Sequence, residues 1–163
     1  MAGDSPRTVA TVPLADPAAT ARFGRWLGAR LRPGDALALV GELGAGKTAL
    51  ARGVAQGLGV DDPEAVCSPT YLLVVEHAGP VRMLHADAYL PAKLAAFLRD
   101  GGLEYLFEPA AVAVVEWADR VSNLMPDRTL WVTLTAEGEA VRRAELAAVP
   151  AVFPWLASMP KIF

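Results

Sequence analysis

Ala36-Leu37-Ala38-Leu39-Val40-Gly41-Glu42-Leu43-Gly44-Ala45-Gly46-Lys47-Thr48 joins a wholly apolar run to a glycine-rich octad. An apolar run of that length fits a strand buried on both faces, as in a parallel sheet. The octad Gly41–Thr48 matches G-x-x-x-x-G-K-[ST] at every fixed position. Ala49–Leu58 then reads as a helix, ended by Gly57 and Gly59. Strand, glycine loop and helix in that order predict an α/β fold of the P-loop NTPase type: a mostly parallel sheet flanked by helices, with added antiparallel strands and hairpins.

The residue types in the loop each meet a physical need. Glycines let the backbone wrap an anion where side chains would collide. Successive N–H groups then point inward, and the helix that follows aims its positive end at the same place. Lys47 would bridge β- and γ-phosphates, and the Thr48 hydroxyl would ligate Mg²⁺. Glu42, Leu43, Gly44, Ala45 and Gly46 before them, and Ala49 after, complete the nucleotide-binding set. In this composition the pattern arises by chance about once in several hundred chains. The spacing of Gly41, Gly44 and Gly46 is not the G-x-G-x-x-G of dinucleotide enzymes. Asn123 is the sole asparagine and no Lys-x-Asp follows it, so the guanine-reading motif is absent and ATP is the expected nucleotide.

Bulk properties narrow the class. The chain has 163 residues, 53% hydrophobic and 20% charged, which suits one globular domain with a real core. Its apolar runs are far shorter than the roughly 20 residues that cross a bilayer, and no export signal is visible. Cys67 stands alone, which fits a reducing compartment, so a cytoplasmic protein without membrane contact is expected. Lys and Arg total 15 against 18 Asp and Glu, a net charge of −3. That balance lacks the basic footprint of a direct nucleic-acid binder. Arg142-Arg143 is the only adjacent basic pair.

Along the chain, Arg7–Leu14 reads as a strand and Asp16-Pro17 as the start of a helix running to Leu31, with Phe23, Trp26, Leu27 and Leu31 facing the core. Tyr71–His77 and Val81–His85 read as a hairpin around Ala78-Gly79-Pro80. Pro91–Arg99 is a helix, and Leu103–Phe107 adds a further turn. Ala111–Val115 is a second buried strand, Asp119–Leu124 a short helix. Leu130–Thr135 and Ala140–Leu146 flank Glu137-Gly138 as a last hairpin. Residues 1–146 are thus read as the P-loop ATPase domain. The 147–163 tail mixes Pro150, Pro154 and Pro160 with Phe153, Trp155 and Phe163. It could be disordered, docked on its own domain, or a partner-binding strip.

A triphosphate site also needs carboxylates for the metal and its water. Glu116 ends the Ala111–Val115 run, as a Walker B-like acid would, and is read as a catalytic residue with Lys47. Trp117 either walls the site or belongs to the core. Asp87, in His85-Ala86-Asp87-Ala88-Tyr89, suits Mg²⁺ but equally suits a turn or helix cap. His85 is a base or a structural histidine. Thr70, in Ser68-Pro69-Thr70, senses a γ-phosphate or caps a turn.

Taken together, Gly41–Thr48, Ser68-Pro69-Thr70-Tyr71, His85-x-Asp87-x-Tyr89 and Glu116-Trp117 resemble the bacterial tRNA threonylcarbamoyladenosine biosynthesis ATPase family, TsaE (formerly YjeE). The resemblance spans about Leu14 to Leu146. It implies a small P-loop domain that binds and slowly hydrolyses ATP. It implies action beside the threonylcarbamoyltransferase subunit and its paralogous partner (TsaD and TsaB), with tRNA met only indirectly. By motif it makes Thr48, Asp87 and Glu116 the magnesium residues, Ser68–Tyr71 a switch-like loop and Trp117 a wall of the nucleotide site. The chain departs from the family at Leu90, where arginine is common. A small-molecule kinase and a nucleotide-dependent binding module without turnover are the competing functions, and no arginine-bearing kinase lid is visible.

Overall fold

In the computed structural model, which describes residues 5–71 and 73–163, seven strands form one mixed sheet in the order β1-β7-β6-β2-β5-β4-β3. The strands are β1 (Arg7–Leu14), β2 (Ala36–Val40), β3 (Val74–His77), β4 (Arg82–Asp87), β5 (Ala111–Glu116), β6 (Thr129–Ala136) and β7 (Arg142–Ala148). The central ladders β6/β2, β2/β5 and β5/β4 are parallel. Antiparallel pairs close both edges, β3 against β4 on one side and β6/β7/β1 on the other. The parallel centre with antiparallel margins is the architecture expected from the sequence. β5 is buried at every position, which explains its unbroken apolar character.

Helix α1 (Pro17–Gly28) starts where Asp16 accepts the Ala19 N–H at 2.7 Å, with proline at its first position. It stops at Gly28, short of Leu31, yet Leu31 remains buried just beyond the end. Helix α2 (Lys47–Leu58) lies against α1, and the two backbones approach closely at facing glycines. A Cβ on Gly24 would stand 2.8 Å from the Leu50 carbonyl oxygen and 2.9 Å from the Gly53 Cα. Gly28, Gly53 and Gly57 face backbone as closely, so four glycines set the distance between the helices.

Larger departures from the sequence expectation occur at the third strand and at the tail. The strand anticipated from Tyr71 begins only at Val74, because Leu73 takes φ 64 and turns the chain, its N–H bonded to the Pro69 carbonyl at 2.8 Å. Leu72 lies outside the described residues. At the other end, β7 continues through Ala148, across the expected 146/147 domain boundary, and the chain beyond it docks on α1. Phe153 is fully buried, while Trp155 and Phe163 meet Trp26 edge-on with ring centroids 5.5 and 5.9 Å apart. The aromatic tail therefore covers the Trp26 flank of its own domain. Among the described residues no helix is long and apolar enough to cross a membrane.

Gly24→Ala should lower unfolding stability by about 1–3 kcal/mol, since only rigid backbone faces the new methyl. Urea unfolding measures this, and an unchanged midpoint would show that the helices separate freely.

Candidate functional site

The carboxyl ends of the parallel strands and the start of α2 meet at one point. Gly41, Gly44 and Gly46 have φ of 155°, 80° and 102°, conformations that permit the loop to turn back on itself. At Gly41 a Cβ would also lie 2.6 Å from the Leu134 carbonyl oxygen, so β6 forbids a side chain there. α2 begins at Lys47, two residues before the expected Ala49, which brings its unpaired N–H groups directly onto the loop.

Lys47 is buried, and its Nζ donates to the carbonyls of Gly41 at 2.6 Å and Glu42 at 2.9 Å. The same ammonium lies 4.0 Å from the Trp117 ring centroid. Burial pushes the Lys47 pKa below the ordinary lysine value, while the carboxylates of Glu116, Asp87, Glu42 and Asp119 pull it upward. The lysine is thus a desolvated cation held next to acids rather than a surface charge.

Sheet register supplies those acids. Asp87 and Glu116 are Cα partners at the ends of β4 and β5, and both are buried. Glu116 accepts the Thr48 hydroxyl on Oε1 at 2.9 Å and meets His85 Nε2 with Oε2 at 2.7 Å. Asp87 accepts the hydroxyls of Ser68 at 2.5 Å and Thr70 at 3.2 Å on Oδ2, and the Tyr89 N–H at 2.7 Å on Oδ1. A cavity of about 500 Å³ opens over these groups, lined among others by Lys47, Thr48, Thr70, Tyr89, Glu116 and Trp117.

With that geometry in hand, comparison with known proteins is decisive. A family model described as threonylcarbamoyl adenosine biosynthesis protein TsaE matches residues 14–144. The chain belongs to this family. The Treponema pallidum tRNA threonylcarbamoyladenosine biosynthesis protein TsaE is 34% identical over 128 residues, covering 78% of this chain and 93% of that protein. The Streptomyces coelicolor protein of the same name is 41% identical over 111 residues, covering 65% and 72%. The crystal structure of Bacillus subtilis YdiB superposes with a TM-score of 0.73 at 25% identity, covering 96% of this chain and 95% of that one. Membership in the TsaE family does not favour the small-molecule kinase.

Most residues singled out from the sequence come together in this family's fold, in different ways. Leu43, Gly44, Gly46, Lys47, Thr48, Ala49, Thr70, Glu116 and Trp117 all line the cavity. Ala45 turns its methyl into the core, leaving only its backbone on the loop. Glu42 reaches Lys47 through its carbonyl. Asp87 ends β4 instead of following it, and its Oδ1 takes the Tyr89 N–H as a turn cap would. Glu116 is buried between Thr48 and His85 and does not face solvent. Trp117 stands at φ 57, a left-handed conformation that turns its ring onto Lys47.

Leu90 carries no charge, yet a cation does sit beside Tyr89. Arg120 donates to the Tyr89 carbonyl at 2.6 Å and lies 4.6 Å from the Trp117 ring centroid. Sequence reasoning missed Arg120 and Arg142, which touch the site only through long-range packing. It left His85 open, and the structure makes it a buried partner of Glu116.

His85→Phe would strand Glu116 Oε2 in a buried position. The expected loss is about 1–3 kcal/mol of unfolding free energy, read by urea titration. A stability equal to that of the unsubstituted protein would mean that the His85–Glu116 bond contributes nothing.

Proposed function

We propose that this chain is an ATP-binding, slowly hydrolysing subunit that acts in tRNA threonylcarbamoyladenosine modification. One observation carries the reading: a glycine loop, a buried lysine and Glu116 line one cavity, and strand register pairs Glu116 with Asp87. The loop N–H groups and Lys47 bind phosphate oxygens, a task that needs a cation already stripped of water. Glu116, 2.9 Å from the Thr48 hydroxyl, orients the attacking water and takes up its proton. Trp117 and Tyr89 wall the cavity and exclude bulk water.

The donors also fit magnesium. They are hard oxygens, from Thr48, Glu116 and Asp87, with Ser68 and Thr70 on the latter carboxylate. No group of three or more His, Cys, Asp or Glu among the described residues forms a closed cage. Mg²⁺ characteristically takes one or two protein carboxylates and keeps its remaining positions for water and phosphate. When bound, it would neutralise charge on the phosphates.

The partners are protein subunits of the same pathway, the threonylcarbamoyltransferase and its paralogue, and those subunits hold the tRNA. Two features support this: the acidic balance of −3, and the exposed Leu43 and Tyr71 on the cavity rim. The same reading makes the chain a cytoplasmic protein, which the single Cys67 supports.

Titration calorimetry on Lys47→Ala should show ATP affinity lowered roughly ten- to hundredfold, and affinity equal to the native chain would overturn the phosphate assignment. Glu116→Ala should keep ATP binding while turnover, measured with the transferase partners present, falls roughly 10²-fold. Retained turnover would remove Glu116 from the mechanism.

A further inference from the structure

One guanidinium gathers five backbone carbonyls beside the loop. Arg142 opens β7, and its Nε donates to the Ala45 carbonyl at 3.0 Å while one terminal nitrogen donates to that of Gly44 at 3.1 Å. The other terminal nitrogen holds the carbonyls of Gly138, Glu139 and Val141 at 3.0, 3.2 and 2.9 Å. Every hydrogen-bond partner of its side chain among the described residues is a main-chain oxygen. The arginine therefore joins two backbones, the glycine loop and the turn between β6 and β7.

Planarity decides what that does. In a trans peptide the C=O and the next N–H point in opposite directions. Holding the Gly44 oxygen outward directs the Ala45 N–H the other way, where it meets the Glu42 carbonyl at 3.0 Å. Holding the Ala45 oxygen outward turns the Gly46 N–H away from the guanidinium. These are the peptide planes most able to flip, because Gly44 and Gly46, at φ 80° and 102°, flank them and rotate at little steric cost. A rigid planar fork fixes the direction of both carbonyls while its third nitrogen holds the β6–β7 turn, and an ammonium, whose donors share one nitrogen, does not span the two backbones.

We propose that Arg142 is a positioning residue that locks these two peptide planes, so that the loop is preorganised for a triphosphate and the β6–β7 turn becomes part of the phosphate site. This rests on the ATP reading above. Preorganisation acts on ground state and transition state alike, so it sets KM and leaves kcat nearly unchanged.

The test compares ATP affinity by calorimetry, steady-state KM and kcat, and thermal melting for Arg142→Ala, Arg142→Lys and Arg143→Ala. Arg143 pairs with Glu137 at 2.8 Å on the hairpin surface and serves as the charge control. Arg142→Ala should bind ATP roughly tenfold more weakly and raise KM to match, with kcat kept within about twofold. Arg142→Lys should not restore affinity, and Arg143→Ala should bind as the native chain does. Native affinity in Arg142→Ala, full rescue by lysine, or a fall in kcat at constant KM would each overturn the inference. Should Arg142→Ala fail to fold, Arg142→Lys decides: weaker binding at an unchanged melting temperature supports the lock, and native affinity refutes it. ATP binding by the native chain is measured first. Its absence would sink the functional reading and this inference together, while its presence with an unaffected Arg142→Ala sinks the inference alone.

Discussion

Backbone N–H groups that converge on one point repel one another, so a loop that presents them must be held open by its surroundings. Here the surroundings act from several directions. The Leu134 carbonyl presses on Gly41 from β6, and the Ala45 methyl is anchored in the core. Lys47 lies inside the loop on the carbonyls of Gly41 and Glu42. Arg142 holds Gly44 and Ala45 from outside. The loop is short and local, but the forces that shape it come from two different strands and a helix.

The acids depend on that same frame. Parallel pairing of β4 with β5 sets Asp87 opposite Glu116, and pairing of β5 with β2 delivers both to the strand end from which the loop departs. Burial at that place makes each carboxylate expensive unless it is hydrogen-bonded. The hydroxyls of Thr48, Ser68 and Thr70, together with His85, meet that need. Those hydroxyls hold the carboxylates in position.

The position of α2, and with it the start of the loop helix, is fixed by contact with α1. Gly24, Gly28, Gly53 and Gly57 permit backbone-to-backbone packing, and the aromatic tail then seals the far side of α1 through Phe23, Trp26, Trp155 and Phe163. A shift of α2 would carry Lys47 and Thr48 with it. Packing far from the cavity thus bears on its geometry.

The sequence by itself determined the features that are local. The octad Gly41–Thr48 is legible because one loop's chemistry demands particular residues at fixed spacing, and β2, β5 and Glu116 follow from a buried apolar run ending in an acid. The family was legible from the order of its motifs. Asp87 was only half legible, since a carboxylate near a strand end caps a turn as readily as it binds a metal. The tail was not legible at all, because proline and aromatic residues suit disorder and docking equally, and only the Trp26 surface distinguishes them. Tertiary structure alone decided the roles of His85, Arg120 and Arg142. Each acts on a partner brought near by strand pairing or helix packing, 31, 31 and 97 or more positions away in the chain, and no local periodicity encodes a contact of that range.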